Sequence, residues 1–232
     1  MIKSEEHELI FLGKPDDQFS KEAFVFAKNL FPTAVDLSNA SNKEIHAFTE
    51  NWAGNILISY LSKVILPASI LKKAQNYAIN FHPAPPEYRG VGGVNFAIYR
   101  QEKKFGVTAH HMTPTVDSGQ IILVDRFSVS QSETVESLLE KSYVHQLVLF
   151  KKIMLTIERG RKLPKSKDRW APNIITRREL NNLATIRLGQ SAKDVAQRIK
   201  ATTYKGWVPR LVIGQDEYDL VKKISSGVNK CR

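Results

Sequence analysis

Residues 77–86 of the chain read YAINFHPAPP, and the fold can be worked out from this stretch. Its first six residues are mostly apolar and predict a buried strand. Pro83 and the two prolines that follow disfavour any regular element directly after His82. Because side chains alternate along a strand, Asn80 and His82 should project from the same face. We therefore predict a strand whose carboxyl end presents an amide and an imidazole side by side.

Upstream of this strand, apolar runs alternate with helical segments. Residues 8–12 (ELIFL) and 55–60 (NILISY) each predict a buried strand, and residues 34–37 predict a shorter one. Helices are expected between them, at 21–30 with Ser20 as the cap, from residue 42 to before Gly54, and at 68–74. This alternation favours an α/β fold with right-handed crossovers and a parallel sheet.

Downstream, a helix at 94–100 precedes two strands, at 106–111 and 120–125. A long helix then follows, with Thr134 or Ser132 as its cap. Its apolar stripe, expected in the core up to the helix end near Glu158, consists of Val135, Leu138, Leu139, Val144, Leu147, Phe150, Ile153 and Leu155.

The residues beyond Trp170 predict a smaller unit. A helix at 192–201 is followed by two short strands within 210–221, and the Gly-Gln-Asp between them suits a hairpin turn. We therefore expect an α/β domain at 1–168 with a mostly parallel sheet, and a small C-terminal subdomain of helix and hairpin at 169–232.

The composition is that of a soluble globular protein, with 42% hydrophobic and 25% charged residues among 232. No run of 18 apolar residues occurs in the sequence, and the start, MIKSEE, lacks the apolar segment of a secretory signal. We therefore expect a cytoplasmic protein without a membrane span. Cys231 is the only cysteine, so neither an intrachain disulfide nor a Cys-based zinc site is expected. His110 and His111 are adjacent and should point to opposite faces of their strand, so no metal site is expected there.

Positive charge is concentrated in residues 151–178, which contain ten Lys or Arg and two acidic residues in a chain of net charge +11. Such a segment attracts anions and speeds their capture. Nucleic acid, a nucleotide diphosphate and polyglutamylated folate are all compatible with it, and so is a solvated surface without a partner. Charge alone does not choose among them.

A carboxylate completes the chemistry suggested by Asn80 and His82. Asp117 comes 37 residues after Asn80, in the loop TPTVDSG between two predicted strands. His82 could accept the proton of an attacking amine, and Asn80 could donate a hydrogen bond to the negative oxygen of a tetrahedral intermediate. Asp117 could orient the imidazole. The three groups suit formyl or acyl transfer to an amine, although an isolated Asn-x-His is also common as a structural pair.

Four short motifs follow one another in the sequence: Asn80-x-His82-Pro83, Tyr88-Arg89-Gly90, Gly106-Val107-Thr108 and Asp117-Ser118-Gly119. In this order and spacing they resemble the formyltetrahydrofolate-dependent formyltransferases, best over residues 55–125. The resemblance implies a Rossmann-like formyltransferase fold and 10-formyltetrahydrofolate as the formyl donor.

The resemblance also implies roles for individual residues. Its catalytic residues fall on Asn80, His82 and Asp117. Its folate slot falls on Val64, Ile65 and Leu66 as one wall, and on the loop that includes His111, Met112 and Asp117 as the other. Plain core packing is the alternative for the first wall.

The tail of the chain is similar to that of the sugar nucleotide N-formyltransferases within this family, notably at 198–206 and in the hairpin that follows. We therefore predict that the acceptor is the amino group of a nucleotide-linked amino sugar, in polysaccharide biosynthesis. The expected acceptor contacts are Tyr88, Arg89, Tyr204, Lys205 and Trp207, through base stacking or binding of a diphosphate. Residues 84–87 (APPE) differ from the Ser-Leu-Leu-Pro often found there, so the acceptor loop is expected to differ. A homodimer through the hairpin is also expected.

Other functions remain open from sequence alone. The acceptor could be methionyl-tRNA or glycinamide ribonucleotide, or a hydrolase could release formate from the same carrier. Methionyl-tRNA formyltransferases have a full C-terminal barrel, for which the roughly 60 residues after Trp170 are too few. A basic module that binds nucleic acid without catalysis is the alternative from another class. It is less expected, because the excess charge lies outside residues 76–125 and no nucleic-acid-binding motif occurs.

Overall fold

The structure is a computed structural model, and it describes residues 7–221. The expectations about the first six residues and about Cys231 concern residues outside this range, as does the end of the expected C-terminal subdomain. The strands are β1 (Leu9–Leu12), β2 (Val35–Asp36), β3 (Ile56–Tyr60), β4 (Tyr77–His82), β5 (Lys104–His111), β6 (Ile121–Ser128), β7 (Thr185–Arg187), β8 (Arg210–Ile213) and β9 (Asp216–Asp219). The helices are α1 (Gln18–Leu30), α2 (Asn42–Glu50), α3 (Ala68–Leu71), α4 (Gly93–Arg100), α5 (Val135–Glu158), α6 (Arg177–Leu183) and α7 (Ala192–Thr202).

The first six strands form one sheet in the order β2-β1-β3-β4-β5-β6. The first four strands in that order are parallel, whereas β5 is antiparallel to both β4 and β6. Every residue of β1 and β3 is buried, as expected for strands that are covered on both faces. The prediction of an α/β, Rossmann-like fold with a mostly parallel sheet is confirmed.

Apolar layers on both faces of the sheet hold β4 in place. On one face, the rings of Phe11, Tyr60 and Phe81 contact Phe150 of α5 at centroid distances of 6.1, 5.3 and 5.0 Å. On the other face, a smaller apolar cluster lies beneath α2 and α3 and includes Ala78. Since β4 contributes side chains to both layers, its carboxyl end is fixed by packing.

The C-terminal unit contains α6, α7 and a second sheet in the order β7-β8-β9. The expected helix and hairpin are present as α7, β8 and β9, and β7 adds a parallel strand beside β8. Two hydrogen bonds fasten α7 to α4: Asn95 Nδ2 donates to the Ala201 carbonyl at 2.7 Å, and the Tyr99 hydroxyl donates to Asp194 at 2.6 Å. The division at residue 168 stays a prediction.

Two local predictions are wrong. Ser20 does not cap α1, because the helix begins earlier, at Gln18, and Asp17 accepts the Ser20 amide N–H at 3.0 Å. The Ser20 hydroxyl instead accepts from the Lys14 amide. Val144 is 49% exposed and does not belong to the core stripe of α5. Among the described residues, no helix has the length and apolar character needed to cross a membrane.

For α5, the structure decides between the two candidate caps. The Thr134 hydroxyl accepts the Ser137 amide N–H at 3.1 Å, and the Ser137 hydroxyl accepts the Thr134 amide N–H at 3.0 Å. The Ser132 hydroxyl instead pairs with the Ser130 hydroxyl at 2.8 Å, and the Ser132 amide N–H donates to that same hydroxyl at 3.2 Å. Thr134→Ala should therefore lower the free energy of unfolding by about 1 kcal/mol, measured by urea denaturation. Ser132→Ala is the matched control and should change it by less than about 0.5 kcal/mol; the reverse order would contradict this assignment.

Candidate active site

Asn80 and His82 occupy the carboxyl end of β4 and share one face of the sheet. The pairing of β4 with β5 sets Asn80 opposite His110, and His82 opposite Thr108. A register shift between Ala109 and His110, where β5 pairs with β6, falls beside this position. Irregularities of this kind re-aim side chains and are common near active sites. The structure thus places an amide and two imidazoles on one small area of the sheet.

Asp117 lies at the centre of this area, on the loop between β5 and β6. Its Oδ1 is 3.4 Å from Nε2 of His110 and 3.5 Å from Nδ2 of Asn80. Its Oδ2 accepts the Gly90 amide N–H at 3.0 Å and lies 3.5 Å from Nδ1 of His82. The three predicted catalytic residues are therefore brought together, around one carboxylate.

The loop that carries Asp117 is held close to the sheet. The Arg89 guanidinium donates twice to the Val116 carbonyl, at 3.1 and 2.9 Å. At the end of the loop, a Cβ on Gly119 would lie 1.8 Å from the His111 carbonyl oxygen, so only glycine fits there. Asp117 itself has a φ of 44°, an uncommon backbone conformation for a residue other than glycine. Such strain is tolerated where the surrounding contacts fix the loop.

The surroundings of Asp117 keep its carboxyl ionised. Burial alone would raise its pKa, but His82, His110 and the Gly90 N–H together favour the charged form. The net effect is to lower the pKa of Asp117 to about 2. The site therefore contains a fixed negative charge that can balance a protonated histidine.

Both ring nitrogens of His82 have partners within the protein. Its Nε2 lies 2.9 Å from the Tyr88 carbonyl oxygen, which can only accept a hydrogen bond. Its Nδ1 faces the Asp117 carboxylate, another acceptor. A neutral ring can donate to only one of these two acceptors, whereas a protonated ring can donate to both. To accept a proton from a substrate, His82 must exchange one of these partners for that substrate.

Sequence reasoning missed His110. It is 2% exposed, its Nε2 is 3.0 Å from Nδ2 of Asn80, and its Nδ1 is 2.9 Å from the His111 carbonyl oxygen. His110 and His111 were expected on opposite faces of the strand, and their rings do lie on opposite faces. The His111 ring stacks on the Tyr77 ring, with the two centroids 6.4 Å apart. Only the antiparallel pairing with β4 reveals which of the two histidines faces Asn80, and the sequence predicted no such pairing.

Sequence reasoning also missed Trp170, which it used only as a boundary. We call residues 163–175 the strap. Its Ser166 N–H donates to the Ile121 carbonyl at 3.0 Å, and Trp170 Nε1 donates to the Gly119 carbonyl at 2.7 Å. The Trp170 ring then contacts the rings of His110, at 4.9 Å, and His82, at 5.9 Å. The strap thus covers both histidines from the side opposite the sheet.

Some of the residues expected to bind folate lie in or against one apolar cluster, and the others lie outside it. Leu66 is buried in the apolar cluster beneath α2 and α3, and Val64 and Met112 pack against that cluster, so the two expected walls meet. Ile65, which lies between Val64 and Leu66 in the sequence, is 67% exposed. The His111 ring lies on the other face of the sheet, so only its backbone borders the Asp117 loop.

The residues expected to bind the acceptor are more scattered. Tyr88 is 3% exposed, and its hydroxyl donates to Glu102 at 2.7 Å, which leaves no ring surface for a substrate. Arg89 is half-buried, and its guanidinium already donates to the Asp117 loop. Tyr204 and Trp207 pair through their backbones in a turn after α7, with the Lys205 ammonium 5.4 Å from the Tyr204 ring. Among the described contacts, none joins this turn to the Asp117 cluster.

The family of this chain follows from comparison with known sequences. The model of the Formyl transferase family matches residues 14–148, more than half of the chain, and this range includes β4, β5 and the Asp117 loop. The chain belongs to the formyl transferase family.

Three individual proteins show which members of the family this chain is similar to. A curated GDP-perosamine N-formyltransferase of Brucella melitensis is 29% identical over 122 residues, which are 52% of this chain and 47% of that protein. The chain thus matches about half the length of this relative. A sugar N-formyltransferase structure from Shewanella aligns with a TM-score of 0.72 at 15% identity, over 92% of this chain and 96% of that one. The N-formyltransferase of Helicobacter canadensis, solved with folinic acid and dTDP-3-aminofucose, aligns with a TM-score of 0.69 at 19% identity, over 90% and 85% of the two chains.

The lowered pKa of Asp117 makes a prediction about stability. A carboxyl whose pKa drops from 3.8 to about 2 on folding stabilises the fold above pH 4, and this contribution is lost as the pH falls through 2. The free energies of unfolding of the wild-type and Asp117→Asn proteins, measured in urea, should show their full difference at pH 5.5. The difference should shrink by about 2 kcal/mol on approaching pH 2, because the lowering of the pKa from 3.8 to about 2 corresponds to about 2.4 kcal/mol in all and most of this is lost by pH 2. A difference that stays constant from pH 5.5 to 2.5 would contradict the assignment.

Proposed function

We propose that this chain transfers a formyl group from 10-formyltetrahydrofolate to the amino group of a nucleotide-linked amino sugar. The observation that carries the proposal is the cluster of Asn80, His82 and Asp117 on a fold of the formyl transferase family. A carboxylate, an imidazole and an amide donor at one point supply what amide formation needs.

In this reaction the amine nitrogen bonds to the formyl carbon, and the bond from that carbon to N10 of the carrier breaks. The amine loses a proton and N10 gains one. Asn80 would donate to the formyl oxygen as negative charge develops there. His82 would take up or return the proton, and Asp117 would stabilise the cationic ring.

The proposed position of the folate is the slot between the residues before α3 and the loop after β5. Val64 and Met112 are only partly buried where they pack against the apolar cluster of Leu66, so they leave apolar surface suited to a flat heteroaromatic ring. The slot's lining leads directly into the loop of Asp117, so the carrier's formyl group would reach the cluster. Exposed Ile65 would cover the ring's outer edge.

The names of the relatives support an amino sugar as the acceptor. One is named for GDP-perosamine, and the Helicobacter enzyme was solved with dTDP-3-aminofucose. The alignment with the Shewanella structure covers 92% of this chain and so includes part of the unit after the strap. We place the nucleotide near Arg89 and the turn at 204–207, because the half-buried Arg89 guanidinium and the exposed Lys205 ammonium are cations suited to a diphosphate.

Two further features belong to the proposal. We expect a homodimer through the second sheet, because all four residues of its outer strand, β9, are exposed and Tyr218 is 52% exposed. Unpaired strand edges of this kind favour association with a second copy. We also expect the reaction to occur in the cytoplasm, where reduced folates and nucleotide sugars are made.

Formyl transfer should depend on the Asp117 carboxylate. Asp117→Asn should lower kcat by about 10³-fold or more, because the imidazole loses its counter-charge and its orientation. The matched control is Asp125→Asn, which removes a carboxylate that pairs with His145 on the surface. The measurement is release of tetrahydrofolate and formation of N-formyl product with GDP- and dTDP-linked amino sugars. Equal rates in the two variants would contradict the proposed site. If the protein transferred the formyl group only to methionyl-tRNA or glycinamide ribonucleotide, that molecule would be the acceptor in place of the amino sugar. If it released formate without any acceptor, it would be a hydrolase.

The folate slot gives a second kinetic prediction. Ile65→Ser should raise KM for the formyl donor about 10-fold without lowering kcat, since the residue would lose apolar contact with the bound ring. The matched control is Val25→Ser on α1, an apolar residue of similar exposure outside the slot. The KM of each variant is measured from initial rates at varied concentrations of 10-formyltetrahydrofolate. An unchanged KM in Ile65→Ser would place the carrier elsewhere.

A further inference from the structure

His110 has no role in the reaction described above, yet it is buried at its centre. It is 2% exposed and contacts both Asn80 and Asp117. Resting on the proposed function, we propose that His110 is a positioning residue that decides which end of the Asn80 amide faces the formyl group.

The proposal follows from the hydrogen-bonding capacity of the groups around His110. Its Nδ1 faces the His111 carbonyl oxygen at 2.9 Å, so this nitrogen carries a proton in every state. Its Nε2 then decides what Asn80 can do. An unprotonated Nε2 accepts from the Asn80 amide nitrogen, the arrangement seen at 3.0 Å. A protonated Nε2 can only donate, and Asn80 must then offer its amide oxygen.

These two arrangements differ in what Asn80 presents to a substrate. With neutral His110, the amide nitrogen points to His110 and to Asp117 Oδ1, at 3.0 and 3.5 Å, and its N–H groups are used within the protein. With protonated His110, the amide turns over and its NH₂ group becomes free. Only the second arrangement can donate to a negative formyl oxygen.

The structure fixes His110 well enough for this control. The ring is held between the sheet and the Trp170 ring, which meets it edge-on at 86° and 4.9 Å. Asp117 Oδ1, 3.4 Å from Nε2, supplies the negative charge that a protonated ring needs.

Among the described residues, two titratable groups lie with His110 on its side of the sheet. Asp117 of the loop contacts His110 directly, and His82 of β4 contacts the same Asp117 carboxylate. His111 lies across the sheet, while β6 and the strap contribute uncharged Ile121 and Trp170. Asp117 and His82 therefore set the electrostatic surroundings of His110. Because only a protonated His110 leaves the Asn80 NH₂ free, we expect kcat to decline on the alkaline side.

Two variants separate positioning from a merely structural role. His110→Phe keeps a ring but removes the donor, and should lower kcat about 100-fold with little change in either KM, the effect of losing one oxyanion donor. His110→Gln retains a neutral amide partner for Asn80 and should recover much of that rate, with a kcat that no longer declines on the alkaline side. His145→Gln, on the surface of α5, is the matched control and should keep the wild-type profile. A wild-type alkaline decline in His110→Gln, or a normal kcat in His110→Phe, would overturn the proposal.

A measurement without substrates distinguishes this proposal from the proposed function. The side-chain NH₂ resonances of Asn80, assigned by their loss in Asn80→Asp, should shift with the protonation of His110 in ¹⁵N-labelled protein. The shift should vanish in His110→Gln. If it is seen in a protein that transfers no formyl group, the positioning is right and the proposed function is wrong. If the wild-type protein is active but the Asn80 resonances do not follow His110, the positioning is wrong.

Discussion

The structure depends on keeping one buried charge stable, the carboxylate of Asp117. A carboxylate removed from water needs hydrogen-bond donors or positive charge on each oxygen. Here the donors come from separate parts of the chain: a backbone N–H after the turn at 86–88, an amide from β4, and imidazoles from β4 and β5. The sheet register, the glycine that ends the loop and the strap are all needed to bring them together. The same requirement that stabilises the charge also assembles groups able to promote transfer to an amine.

Much of this arrangement could be predicted from sequence, for physical reasons. The apolar runs and their helical spacers fix an α/β sheet, and alternation along β4 fixes the shared face of Asn80 and His82. Asp117 could be predicted as a site residue from its loop between two strands and from the Asp-Ser-Gly motif. His110 was missed because its partner is set by an antiparallel pairing and a register shift, which no local pattern reveals. Trp170 was missed because it reaches the site through a strap that follows a 24-residue helix.

The acceptor residues show where sequence resemblance is less informative. Tyr88 has the expected place in its motif, but its ring lies in the core, and its carbonyl, not its side chain, contacts His82. Arg89 holds the Asp117 loop and can meet a ligand only with its remaining N–H groups. The basic segment 151–178 is shared between α5, the strap and α6, so its charge is spread over elements that cover the site and elements that do not. Whether it attracts an anionic substrate stays a prediction.

The proposed activity of the cluster formed by Asn80, His82 and Asp117 is transfer of a formyl group to an amino sugar. The most direct measurement uses 10-formyltetrahydrofolate labelled with ¹³C in its formyl carbon, together with the wild-type protein and a GDP- or dTDP-linked amino sugar. We expect the ¹³C resonance to move from the folate to an N-formyl group on the sugar, in proportion to the tetrahydrofolate released. Label that stays on the folate, or that appears only as formate, would contradict it.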